Sequence, residues 1–134
     1  MIVGLGVDVV EISRIAAMLE RHRGRFLERV LTEQERRYCL ARALPAESVA
    51  ARIAAKEAGF KALSGPSQGR SISWQHLEVL VDARRPRLAL YGPALECAAA
   101  LGVERCWLSL THSHGVAVAV VVLESAAGDT RVFR

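Results

Sequence analysis

Lysine is almost missing from this chain. Only Lys56 and Lys61 are lysines, both inside AAKEAGFKAL at residues 54–63, whereas arginine is used sixteen times. A solvated surface accepts either cation, but a compact ammonium suits a phosphate or a buried carboxylate as a point charge, where guanidinium wants a planar, forked partner. Either the pair serves chemistry, or an arginine-biased codon supply left two lysines in one helix. Aspartate is nearly as scarce, with Asp8, Asp82 and Asp129. Cys39, Cys97 and Cys106 are odd in number and lack metal-ligand spacing. That argues against a disulfide framework or a zinc site and for small core hydrophobes in a reducing cytoplasm, with one a candidate surface thiol. No apolar run approaches the roughly 18 residues of a membrane helix. The longest, Val116 to Leu123, has the length of a strand. The opening MIVGLGVDVV has no charged leader region and reads as a buried strand rather than a signal peptide. Repeats, low-complexity tracts and Pro-, Gly- or Ser-rich linkers are missing as well.

Aromatic residues make up 5% of the chain, and no basic stretch is interleaved with them. This weighs against the competing class for a chain of formal charge +4, a basic nucleic-acid-binding module, which needs stacking platforms along a cationic groove. The charge is uneven: between Arg14 and Arg42 lie eight arginines and four glutamates, so an anionic partner is expected.

The 134 residues suit a single domain, with a core over about 2–123 and a short C-terminal tail. Residues 2–10 are β-branched and apolar and read as a buried strand. Ile12, Ile15, Ala16 and Leu19 then fall on one face of a helix that ends near Gly24. Thr32 followed by Glu35 reads as a capping box opening a second helix to about Ala43. Pro45 and Glu47 open a third, running to Leu63 and closed by Ser64, Gly65 and Pro66. LEVLVD (77–82) and PRLALY (86–91) read as two strands joined by a short turn. An alanine-rich helix follows over Pro93 to Leu101, and two antiparallel strands turn at Ser113 to Gly115. Helices and strands are mixed, with hairpins rather than βαβ repeats, which makes the fold class α+β.

The third helix carries a second stripe beside its apolar one. Ala54, Glu57, Ala58 and Lys61 fall at i, i+3, i+4 and i+7, so Glu57 and Lys61 stand on a face with little bulk. Such a face leaves room for a ligand, or lets another backbone pack closely while Glu57 and Lys61 form an i,i+4 pair. Asp8, near the end of an apolar strand, needs a partner. That partner is a helix cap, Arg14, or, across the fold, Glu57. Two carboxylates sharing a site repel unless a cation or proton lies between them, and ligation by one or two carboxylates, waters and substrate phosphates is the magnesium pattern.

Four segments, VGLGVDVVEISRI, RFLERVLTEQE, ARIAAKEAGFKAL and LSLTHSHGVAVA, together resemble in order the holo-[acyl-carrier-protein] synthases, small bacterial 4′-phosphopantetheinyl transferases. The specific matches are Gly6-Val7-Asp8 followed by Arg14, Lys56-Glu57-Ala58 followed by Lys61-Ala62, and Ser109-x-Thr111-His112. The chain departs from the family pattern at Leu31, Ile53 and Gly59, and at Ser64-Gly65-Pro66-Ser67-Gln68-Gly69, where the family tends to have Gly-x-Gly. The resemblance implies a phosphopantetheinyl transferase-like fold, an antiparallel sheet packed against a long helix, and transfer of the 4′-phosphopantetheine arm of coenzyme A to a carrier-protein serine, releasing adenosine 3′,5′-bisphosphate. It implies a cytoplasmic enzyme of lipid metabolism, serving fatty-acid or polyketide carriers, and a homotrimer with active sites between subunits. By motif, Asp8 and Glu57 are its magnesium ligands and Lys61 a phosphate partner. Glu57 or a metal-bound water is its base. Arg52, Lys56 and His112 are assigned to coenzyme A, with a structural ion pair as the other reading of Lys56. For His112 a rival reading pairs it with His114 on a strand as transition-metal ligands, but no Cys or third His joins them.

Arg14, Arg21 and Arg25 are spaced by seven and four, so on a helix carried past Gly24 they form one stripe turned away from Ile12 and Leu19. Each alone reads as a solvated cation. Together, beginning six residues after Asp8, they are expected to dock the acidic acyl carrier protein.

Overall fold

A computed structural model of the chain describes residues 1–64 and 72–126. Five strands and four α-helices follow in the order β1 (Ile2–Glu11), α1 (Ile12–Val30), α2 (Glu33–Leu40), α3 (Pro45–Leu63), β2 (Leu77–Asp82), β3 (Arg85–Leu90), α4 (Gly92–Ala100), β4 (Val103–Ser113) and β5 (Val116–Ser125), with a 3₁₀ turn at Trp74–His76 before β2. β1, β5 and β4 form an antiparallel sheet in that order, and β2 and β3 form a separate hairpin. The class is α+β, as the patterning predicts.

Alternation along β5 decides what the sheet faces. Ala117, Ala119, Val121 and Leu123 are buried, while Val118, Val120 and Val122 on the opposite face are only half-buried. The same holds along β1: Gly4, Gly6 and Asp8 lie on one face, and Leu5, Val7 and Val9 on the other, 64%, 53% and 58% exposed. Helix α3 covers the inner face, and its small residues let it come close. A Cβ on Gly4 would stand 2.3 Å from the Ala62 carbonyl oxygen, and one on Gly6 only 1.8 Å from that of Ala58. The low-bulk stripe of α3 thus serves close packing against another backbone, one of the two uses its composition allows. Gly59, unusual inside a helix, has a similar cause: a Cβ there would lie 2.5 Å from a Leu77 methyl of β2.

The capping box forms as expected, with the Thr32 backbone N–H donating to Glu35 Oε1 at 2.9 Å and the Glu35 N–H donating to the Thr32 hydroxyl at 3.3 Å. α1 does not end near Gly24. It runs to Val30 because Leu27 and Val30 add a second buried face, and it kinks at His22, whose φ of −139° and ψ of 33° are not helical. The closure of α3 begins at Ser64 as read, while Gly65 and Pro66 fall outside the described residues. Cys39 and Cys97 are buried and Cys106 half-buried. None of the helices among the described residues is long and apolar enough to cross a membrane.

Candidate active site

β1 and α3 bring Asp8, Glu57 and Lys61 together. Strand alternation puts Asp8 on the face of β1 that carries Gly6, and the Gly6–Ala58 contact draws that face onto the helix turn that bears Glu57. Lys61 Nζ lies 2.9 Å from Asp8 Oδ1 and 3.0 Å from the Val7 carbonyl oxygen. Its side chain is 54% exposed and that of Asp8 18%, so this is a pair at the mouth of a site. Burial, and then the facing charge of Asp8, push the Glu57 carboxyl above its ordinary pKa, while Lys61 pulls it back. Two carboxylates thus share one electrostatic environment. Asp8 takes Lys61 as its ion-pair partner, not Arg14.

Asp8 and Glu57 line a cleft of about 450 Å³ with Arg14 and an apolar wall that includes Ile15, Met18, Phe26, Ile53 and Trp74. Arg14, Arg21 and Arg25 are all exposed, and none forms an ion pair among the described residues. The kink at His22 separates Arg25 from the other two, so the single regular stripe does not hold over its whole length.

The expectation for Lys56 as a substrate-binding residue requires correction. It is 0% exposed, and its ammonium donates to Glu35 Oε1 at 2.6 Å, the Val30 carbonyl at 2.7 Å and the Trp74 carbonyl at 3.0 Å. An ammonium has three donors, so none is left for a substrate. Lys56 is the structural ion pair of the two readings.

A second cleft, about 640 Å³, lies on another face of α3. Arg52 and His112 line it together, as the motif implies, and Arg42 and Arg84 join them. Arg52 is 4% exposed: its guanidinium stacks 4.2 Å from the centre of the Tyr38 ring, one Nη donates to the Ser48 carbonyl, and its buried Nε has no hydrogen-bond partner. Such a donor is costly unless something reaches it. His112 Nδ1 is 4.0 Å from a Glu47 carboxylate oxygen. His114 sits in the β4–β5 turn with a φ of 51°, so it does not share a strand face with His112. Arg42 and Arg84 escaped the sequence reading. Arg84 follows Ala83 in the short turn predicted between the two strands, where both hold positive φ, 45° and 67°, a conformation L-residues disfavour and that the sequence does not announce without Gly or Asn.

Among the described residues no group of three or more His, Cys, Asp or Glu stands ready to hold a metal. The donor set at Asp8 and Glu57, two carboxylates open to a cleft, suits a hard cation that keeps waters and substrate oxygens as its remaining ligands.

The family model described as the 4′-phosphopantetheinyl transferase superfamily matches residues 4–121. The chain belongs to this superfamily. Every residue of the two clefts named above lies within the matched span. This transferase is 48% identical over 124 residues to a holo-[acyl-carrier-protein] synthase of Cutibacterium acnes, covering 92% of this chain and 99% of that one. Its fold is that of solved holo-[acyl-carrier-protein] synthases. One from Neisseria meningitidis superposes with a TM-score of 0.80 at 32% identity, over 93% of this chain and 100% of that one. One from Bacillus anthracis, solved in complex with CoA (3′,5′-ADP), gives 0.74 at 40% identity, over 94% and 99%. The resemblance carried by the sequence motifs is borne out, and the transferase is an enzyme of the holo-[acyl-carrier-protein] synthase kind.

Proposed function

We propose that the chain moves the 4′-phosphopantetheine of coenzyme A onto a serine of an acidic acyl carrier protein, with magnesium held by Asp8 and Glu57, and releases adenosine 3′,5′-bisphosphate. The observation that carries this reading is that Asp8 and Glu57 line one cleft while Lys61, 53 residues after Asp8, pairs with Asp8 beside it. The serine oxygen attacks the β-phosphorus, a new P–O bond forms there, and the bond to the nucleotide's phosphate oxygen breaks. Magnesium, when bound, supplies positive charge to the pyrophosphate oxygens. Either Glu57, whose carboxyl is pushed up by burial and by Asp8, or a metal-bound water would take the serine proton. Lys61 holds a compact positive charge at the mouth, where phosphate charge develops. Coenzyme A's nucleotide phosphates fit the cationic cleft of Arg42, Arg52, Arg84 and His112.

The two clefts share no lining residue, and Arg52 and Glu57 point about 140° apart around α3. An assembly in which the nucleotide cleft of one subunit faces the carboxylates of the next would join them. The exposed sheet face of Leu5, Val7 and Val9, continued by Trp107, is the apolar surface such a homotrimer would cover. The chain is read as one transferase domain with its core over 2–123, working in the cytoplasm.

The test is incubation with coenzyme A, magnesium and an apo carrier protein. A mass gain of one phosphopantetheine on the carrier, lost on chelation, is expected, together with a trimer by light scattering. A carrier left unmodified would overturn the reading.

A further inference from the structure

Lys56 stands next to Glu57 in the sequence, yet it reaches the opposite way, into the protein. Its ammonium is bonded to the carbonyls of Val30 and Trp74 and to Glu35. Val30 and Trp74 both line the cleft that holds Asp8, Arg14 and Glu57, and Lys56 does not. The ammonium therefore grips two wall residues of that cleft from behind. The carboxylate that holds it is itself fixed, since Glu35 accepts from the Thr32 N–H at 2.9 Å and the Val79 N–H at 2.8 Å. A second clasp spans the same elements: Gln75 Nε2 donates to the Glu28 and Leu31 carbonyls at 2.8 and 2.7 Å. Trp74 in turn packs edge-on against Phe60 of α3, ring centres 5.2 Å apart.

A buried ion pair is a poor way to gain stability, because removing two charges from water offsets most of their attraction and a well-packed apolar pair does as well. What a buried ammonium supplies that methionine cannot is direction. It sets three acceptors from three separate elements, α1, α2 and the 3₁₀ turn, at hydrogen-bond distance from one point on α3.

We infer that Lys56 is a positioning residue. Held by Glu35, it clasps the end of α1 and the Trp74 turn onto α3 and so shapes the apolar wall that receives the protein substrate beside Asp8 and Glu57. This rests on the transfer reading above for its kinetic readout. The nucleotide cleft is lined by neither Val30 nor Trp74.

Two variants test it. Lys56→Met with Glu35→Gln removes both charges of the pair at once, and Gln75→Ala loosens the same wall without touching the ion pair. In the double variant the Michaelis constant for the carrier should rise roughly tenfold, a loss of about 1.4 kcal/mol in recognition, while kcat and the constant for coenzyme A stay near wild type. Gln75→Ala should move the carrier constant in the same direction by less. Acrylamide quenching of Trp74, read in a Trp107→Phe background, should increase in both. Folded variants with an unchanged carrier constant and unchanged quenching would overturn the clasp, as would equal loss on both substrates, the mark of general loosening. Should the double variant fail to fold, Gln75→Ala decides by the same measures. Were the wild type itself inactive toward a carrier, the transfer reading would fall, and the quenching of Trp74 would still decide the clasp.

Discussion

Lys61 gives its ammonium to Asp8, 53 positions earlier in the chain, at 2.9 Å. Its i−4 neighbour on the same helix, Glu57, is left facing Asp8 with a raised pKa. The apparent helix ion pair is in truth one corner of a two-carboxylate site, and this arrangement sets what each group does.

The proposed phosphate role at that corner gives a reason for lysine there in a chain that uses arginine at sixteen other positions. Lys61→Arg keeps the charge but replaces a compact ammonium by a broad fork. Turnover with coenzyme A should fall about tenfold or more, while the melting temperature changes little, since half-exposed ion pairs contribute about 0–1 kcal/mol. Near wild-type turnover would return the lysine to codon bias.

Glu57 should weaken the fold that needs it for function. Its carboxyl is raised first by burial and then by Asp8. Between the ordinary carboxylate pKa and the raised one, the folded chain keeps a proton that the unfolded chain has released, so stability falls as pH climbs through that window. At neutral pH the ionised group is a net cost. With magnesium chelated, Glu57→Gln should melt above wild type at pH 7.5, the difference closing as pH falls below about 4.3. The same variant should lose transfer. A Gln variant that melts no higher than wild type would count against the shared carboxylate environment.

Gly6 holds the site closed. With only 1.8 Å from its Cβ position to the Ala58 carbonyl, Gly6→Ala has to push β1 off α3 and carry Asp8 away from Glu57. A loss of about 3 kcal/mol or more is expected by urea unfolding, with activity lost even in the folded fraction. Gly24 is the control, with nothing within 4 Å of its Cβ position in α1. Gly24→Ala should gain about 0.5–1 kcal/mol and leave transfer unchanged.

Arg14 lines the carboxylate cleft, and Arg21 lies on the same straight segment of α1, before the kink at His22. Reversing both to Glu should raise the Michaelis constant for an acidic carrier and flatten its salt dependence, since rim charges act mainly on association. The constant for coenzyme A should hold. A rise there instead would move these arginines to the nucleotide.

Local physics made much of this legible in advance. The capping box at Thr32 and Glu35 needs only neighbours three residues apart, and the α3 boundaries rest on Pro45 at one end and Ser64 at the other. The apolar run of Val116 to Leu123 announced a strand, but which of its faces is buried came only from the packing against α3. The length of α1 was misjudged because Gly24 looks like a stop, whereas Leu27 and Val30 are buried against residues that the local window does not contain.

The sequence by itself determined which side chains could carry chemistry: two carboxylates and two lysines, at spacings that a strand and a helix turn into defined faces. Only the tertiary structure decided whom each charge meets. Lys56 and Lys61 are five residues apart on one helix, hence about 140° apart around it. One is buried on Glu35 and the other reaches Asp8 at the cleft mouth. Helical spacing offers each charge only its i±3 and i±4 neighbours. The partners they take come from other elements, set in register by the contact of Gly4 and Gly6 with Ala62 and Ala58 and by the hydrogen bonds of Glu35 to the Thr32 and Val79 N–H groups.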